Sequence, residues 1–74
     1  MACFHFDIHE NDRFIADEEG RFLDDEARVR ELAVATGASI ARDAFVDGSA
    51  SRIVIDVRKE DAHFMRVVIS LALE

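Results

Sequence analysis

Cys3, His5, Asp7 and His9 occupy alternate positions of the run Cys3-Phe4-His5-Phe6-Asp7-Ile8-His9, and no other stretch of the chain gathers as many side chains able to do chemistry. A thiol two residues from an imidazole could be a nucleophile beside its base. Two imidazoles and a carboxylate are the donors of a divalent-metal site. Both uses require convergence, and on extended backbone alternate side chains stand about 6.6 Å apart. Zinc ligand atoms lie only about 2.0–2.2 Å from the ion. His5, Asp7 and His9 would therefore have to lean inward, with His63 completing the set if the last turn lies near that edge. The spacing favours a lightly hydrogen-bonded sheet face. A metal or small-ligand module on His5, Asp7 and His9 stands as the alternative, and no cofactor is expected. Cys3 has neither an orienting group for its neighbour His5 nor an oxyanion donor in view, so it reads as a partly buried structural cysteine.

Other patterns lead to less. Asp7, His9, Asn11 and Glu18 fall at the first, third, fifth and twelfth positions of a calcium loop, but Asp12 stands where the turn glycine belongs and the loop would begin inside a strand. Asp17, Glu18 and Glu19 read as a solvated acidic turn, because general acid and base work needs a pocket. Gly20, Gly37 and Gly48 are isolated, so there is no phosphate-cradling loop. No catalytic residue is assigned, and a non-enzymatic role is expected.

The elements that position these residues follow from periodicity. Phe4, Phe6 and Ile8 alternate with the polar set, which makes residues 3–9 a strand with a core face. Glu10-Asn11-Asp12 is a turn, and Arg13-Phe14-Ile15-Ala16 returns to complete a hairpin. A second turn follows at Asp17-Glu18-Glu19-Gly20, where Gly20 allows a positive φ. Arg21-Phe22-Leu23 leads into a helix with Asp24 as its N-cap and Asp25 and Glu26 in the first turn. Val29, Leu32, Ala33, Thr36, Ile40 and Ala44 form its core stripe to about Phe45, with Gly37 marking close packing or a weak point, and Asp47-Gly48-Ser49 ends it.

Two further alternating runs close the chain. Ile53, Ile55 and Val57 share a face with Met65, Val67, Ile69, Leu71 and Leu73 if Val57 lies opposite Met65, which places a turn near Glu60-Asp61-Ala62. That register sets Asp56 opposite Arg66 and Val54 opposite Val68. The expected fold is α+β, ββαββ, a four-stranded sheet with one helix on one face, as a single domain over residues 1–74. The first and last strands are the most apolar, which suggests placing them side by side in the β-grasp-like order 2-1-4-3. The all-antiparallel order 2-1-3-4 is the alternative.

Composition narrows the role. The net charge of −7 arises mostly from residues 1–26, which hold nine of the sixteen acids and two arginines, so there is no basic groove for nucleic acid and no membrane-binding surface. One cysteine cannot form an internal disulfide, Met-Ala-Cys-Phe carries no leader-like segment, and no run approaches about 18 apolar residues. These features predict a cytoplasmic chain. A domain of this length buries only about 60% of its unfolded surface, so a partner would add useful burial.

Phe4-His5-Phe6-Asp7-Ile8-His9, Asp17-Glu18-Glu19-Gly20, Ala27 near the helix start, Ala41-Arg42-Asp43 near its end and Val54-Ile55-Asp56-Val57-Arg58 with its acidic turn resemble, in that order, a family of small uncharacterised bacterial proteins, mainly alphaproteobacterial. The resemblance spans nearly the whole chain and departs at Ala62 and His63, where the family carries Gly and a polar residue. It implies the same fold and compartment and brings no catalytic residue.

The remaining surfaces are apolar. Val54, Phe64, Val68 and Ala72, with Arg66 among them, are expected on the outer sheet face, with Ile15 beside them, and Val34, Ala38, Ala41 and Phe45 on a helix flank. Such patches, and free strand edges, suit a homodimer or an accessory protein partner. An antitoxin-like regulator is a third expectation, resting on size and fold analogy.

Overall fold

Alternation at Phe4, Phe6 and Ile8 does set the first strand. A computed structural model describes all 74 residues, in the order β1 Ala2–Glu10, β2 Arg13–Ile15, β3 Arg21–Leu23, α1 Glu26–Asp47, β4 Arg52–Lys59 and β5 Ala62–Ser70. One helix packs on one face of an antiparallel sheet in the order β2-β1-β4-β5, and β3 joins the same edge of β1 as β2. The α+β class and the single covering helix therefore stand.

The β-grasp-like order does not. β4, not the last strand, lies beside β1, and it runs antiparallel to it with Phe6 opposite Val57 and Ile8 opposite Ile55. The all-antiparallel alternative is the observed arrangement. Its physical reason is visible at Asp56, which takes Arg66 from β5 on one side and His9 from β1 on the other. Only a strand lying between β1 and β5 can be served from both. β4 also holds the most deeply buried residues of the sheet, with Ile53, Ile55 and Val57 fully enclosed.

The register of the last hairpin is as expected at Val57 and Met65, Asp56 and Arg66, and Val54 and Val68. Beyond Val57 it shifts, so that Arg58 faces His63 and a two-residue loop, Glu60-Asp61, closes the turn. The extra residue in this β-bulge is Phe64. Instead of joining the outer face, Phe64 packs against the core, edge-on to Phe4 with ring centroids 5.3 Å apart. Arg21-Phe22-Leu23, read as a lead-in to the helix, is a strand in its own right, paired with Ala2–Phe4.

α1 begins one residue later than expected. Asp25 is its N-cap, accepting from the Ala27 amide, and Gly48 ends it in a left-handed conformation. The buried face is Val29, Ala33, Gly37, Ala41 and Ala44, a stripe of small residues that brings the helix close to the sheet. A Cβ on Gly37 would stand 3.1 Å from Ile69 Cδ1 and 3.2 Å from Ile55 Cγ1, so the helix sits over the seam between β4 and β5. Leu32 and Thr36, expected in the core stripe, lie on the flank toward β1 and β3, where they line a hollow with Phe6 and Arg21.

Candidate functional site

The outer sheet face holds a hydrogen-bonded network around Asp7. β1 needs a partner on its free edge, but β2 pairs only with Ile8–Glu10 and β3 only with Ala2–Phe4, so the edge at Phe6 is left open. Asp17 fills this gap. Its Oδ2 accepts the Phe6 N–H at 3.0 Å and its Oδ1 accepts the Gly20 N–H at 3.1 Å. Its own amide donates to Asp7 Oδ1 at 2.9 Å. Gly20 makes the tight return possible: its φ is 74°, and a Cβ there would lie 2.7 Å from Cys3 Sγ.

Asp7 is buried and holds Arg58 in a two-pronged grip, Nε to Oδ2 at 2.7 Å and Nη2 to Oδ1 at 3.1 Å. Arg58 Nη2 also donates to the Asp17 carbonyl at 3.3 Å. Burial disfavours the Asp7 charge, but the hydrogen bonds from Arg58 and from the Asp17 amide outweigh it and hold the carboxyl below the usual aspartate range. Asp17 is likewise held low, burial being outweighed by the Phe6 and Gly20 amides and the nearby His5 imidazole. No buried side-chain nitrogen or oxygen lacks a partner.

His5, Asp7 and His9 do not converge. His5 Nδ1 lies 2.8 Å from the Asp17 carbonyl, Asp7 is taken by Arg58, and His9 Nε2 reaches Asp56 at 3.1 Å while its ring packs on Phe14. No group of three or more His, Cys, Asp or Glu residues is arranged to hold a metal ion. The calcium-loop spacing falls apart in the same way, with Asp7 inside a strand and Glu18 exposed.

The Cys3–His5 pair is better built than its sequence suggests. A carbonyl can only accept, so His5 Nδ1 donates to Asp17 O, which turns Nε2 toward Cys3 Sγ at 3.5 Å as an acceptor. The orienting group missing from the sequence is thus a backbone carbonyl. Neither residue is among those that line the three hollows of the surface. Asp17 is not a solvated turn acid but the fastening point of its loop. Arg58 was also not anticipated, since only the register of β1 and β4, which sets it opposite His5, reveals the buried Asp7 on its diagonal.

A family model described as a domain of unknown function, DUF6894, matches residues 3–71. The chain belongs to this family. No curated protein and no solved structure matches it. In this DUF6894 chain the expected contact residues divide sharply. Val54 is buried at 4% exposure beneath a hollow of about 120 Å³ lined by His9, Arg52, Asp56 and Arg66, so it offers no contact surface. Phe64 is turned to the core by the bulge, and Ala41 and Phe45 belong to or pack on the core. Ile15 pairs with Ile8 and so lies on the helix side rather than the outer face. Arg66 is held by Asp56, Nε to Oδ1 at 2.6 Å. Val68 remains 48% exposed on β5 and Val34 40% exposed on α1, with Ala38 beside it, while Ala72 lies beyond the end of β5.

Proposed function

We propose that this domain is a non-enzymatic contact module of the cytoplasm, acting by binding a protein, either a second copy of itself or an accessory partner. One observation carries the reading: the side chains able to do chemistry are engaged with one another, whereas β5 and the adjoining helix flank are apolar and unpartnered. The largest hollow, about 350 Å³ between Phe6, Asp17, Arg21 and Leu32, is open and gathers no convergent catalytic set. No helix is long and apolar enough to cross a membrane.

Purification of the tagged chain from its own cytoplasm, with light scattering on the purified protein, tests this. Self-association or one stoichiometric protein partner is expected. A strict monomer that recovers no protein would overturn the reading, and recovery of a toxin would turn it toward an antitoxin-like role. A small-ligand module is supported by one feature: of His5, Asp7 and His9, only His9 opens onto a hollow, where Arg52 stands beside the paired Asp56 and Arg66.

A further inference from the structure

β5 has the composition of an interior strand and the position of an edge strand. Its run Met65-Arg66-Val67-Val68-Ile69 is apolar on the helix side, carries Arg66 and Val68 on the other, and contains no Pro or Lys; its one charge, Arg66, is tied to Asp56 of β4. Its helix-side residues Met65, Val67 and Ile69 are only half-buried. The opposite edge of the sheet is managed differently, by two three-residue strands and the Asp17 loop. The Phe64 bulge disturbs only the start of β5 and leaves Met65–Ser70 as a regular stretch.

We propose that two copies of this chain join through β5, pairing antiparallel across a dyad at Val68 to form one continuous sheet with both helices on the same face. The proposal rests on the contact-module reading above and names its partner.

Three observations fix the geometry. Leu71 N–H donates to Ser51 O across the β4–β5 seam. Backbone groups alternate along a strand, so Met65, Val67 and Ile69 turn theirs toward β4, while Arg66, Val68 and Ser70 turn theirs outward. Those outward groups are a ladder with no partner. Antiparallel pairing with a second β5 must match outward residue to outward residue. A dyad at Arg66 would set two guanidiniums opposite each other, and a dyad between Arg66 and Val68 would leave them on a diagonal of about 7–8 Å. A dyad at Val68 places Arg66 opposite the partner's Ser70 and sets the two exposed Val68 side chains face to face.

The helices then meet at packing distance. α1 lies over the β4–β5 seam, so its axis stands about one strand spacing, ~4.8 Å, from a dyad on the outer side of β5. Two such helices lie roughly 10 Å apart, within the usual separation of packed helices. The flanks that would face each other are the right ones. Leu32 and Thr36 point toward β1 and β3, so Val34 and Ala38, two residues on and about 200° around the helix, point toward β5. Val34 is 40% exposed and Ala38 is small and exposed, which together permit close approach.

Light scattering after size exclusion should give twice the 8.3 kDa chain mass. Val68→Asp and Ala38→Arg should each return the mass to that of a monomer with an unchanged far-ultraviolet spectrum and cooperative melting. Ala38 lies outside the sheet, so that variant carries the test even if Val68→Asp does not fold. In a Cys3→Ser background, Val68→Cys should oxidise to a disulfide dimer, because residues directly opposite lie about 5.5 Å apart. Arg66→Cys should not, since the two sites lie about 13 Å apart along the strands. A wild-type monomer at the highest soluble concentration, a dimer indifferent to both variants, or equal cross-linking at both positions would overturn the proposal. A monomer that still recovers another protein overturns only the β5 pairing, whereas a monomer that recovers none overturns the contact reading as well.

Discussion

Asp7 faces Asp56 directly across the β1–β4 ladder, and each of these opposed carboxylates is neutralised by its own arginine, Asp7 by Arg58 and Asp56 by Arg66. Like charges placed opposite on neighbouring strands are destabilising unless compensated. Asp7→Asn is therefore expected to cost about 1–2 kcal/mol, through weakened charge-assisted hydrogen bonds. Arg58→Ala should cost more, because it leaves a buried carboxylate facing a second one. Adding Asp7→Asn to Arg58→Ala should then restore part of the loss, which urea unfolding of the three variants would measure.

Asp7 and Asp17 are both held below their ordinary range in the folded chain. The unfolded chain then takes up protons at these positions first as pH falls, so it binds more protons than the folded state and stability declines toward acid. Stability from these groups is fully present above about pH 4 to 5 and is lost progressively below the ordinary aspartate range. Chemical unfolding between pH 3 and 7, on the order of one point per unit, should show this slope, and Asp17→Asn should flatten it.

Gly37 sets the closeness of helix and sheet. Ala would gain about 1 kcal/mol in helix propensity but would push on Ile69 and Ile55. Ile69 is half-buried and its tip can yield, so Gly37→Ala should lie close to wild type. Gly37→Val should lower stability by about 2–3 kcal/mol, since enclosed Ile55 cannot yield to the added bulk. Thermal melting of both variants distinguishes these outcomes.

Glu60 adopts a left-handed φ of 55° at the last hairpin. Its amide donates to Cys3 O at 2.7 Å and its Oε1 accepts the Cys3 N–H at 3.1 Å, carrying the β1–β4 ladder around the corner. Glu60→Ala keeps the strain and loses the side-chain bond, and should cost about 1 kcal/mol. Glu60→Gly relieves the strain and should remain near wild type in the same unfolding assay.

Zinc should find no tight site at His5 and His9. Each imidazole already has a partner, the Asp17 carbonyl and Asp56 respectively. Titration with zinc, followed through the imidazole signals in NMR, should leave both rings unshifted at stoichiometric metal, and tight site-specific shifts at both would refute this.

Alternation made the core side of the sheet legible. Phe4, Phe6 and Ile8 and the set Ile53, Ile55 and Val57 were recognisable because one buried face forces a period of two, and that same constraint located Val57 opposite Met65. Strand neighbours were harder to read. The last strand was expected at the centre for its apolar character, yet it stands at the edge, because an apolar run records how much burial a strand calls for and not which strand supplies it. Phe64 was misplaced because a bulge adds one residue without any change in pattern. The Asp7 network was invisible for a different reason: the Asp7–Arg58 pair depends on which strand lies beside β1, and Asp17 joins it through its backbone amide and carbonyl, which carry no residue signature.

The carboxylate of Asp17, bonded to the Phe6 amide, seals the β1 edge at the point where neither β2 nor β3 reaches. A sheet with one sealed edge and one open edge can be extended only once by a dyad, after which both outer margins are sealed and growth stops. In a β5-paired dimer the Asp17 carboxylate would cap each outer margin at Phe6, and Asp17→Ala would uncover a second margin from which an open-ended fibre could grow.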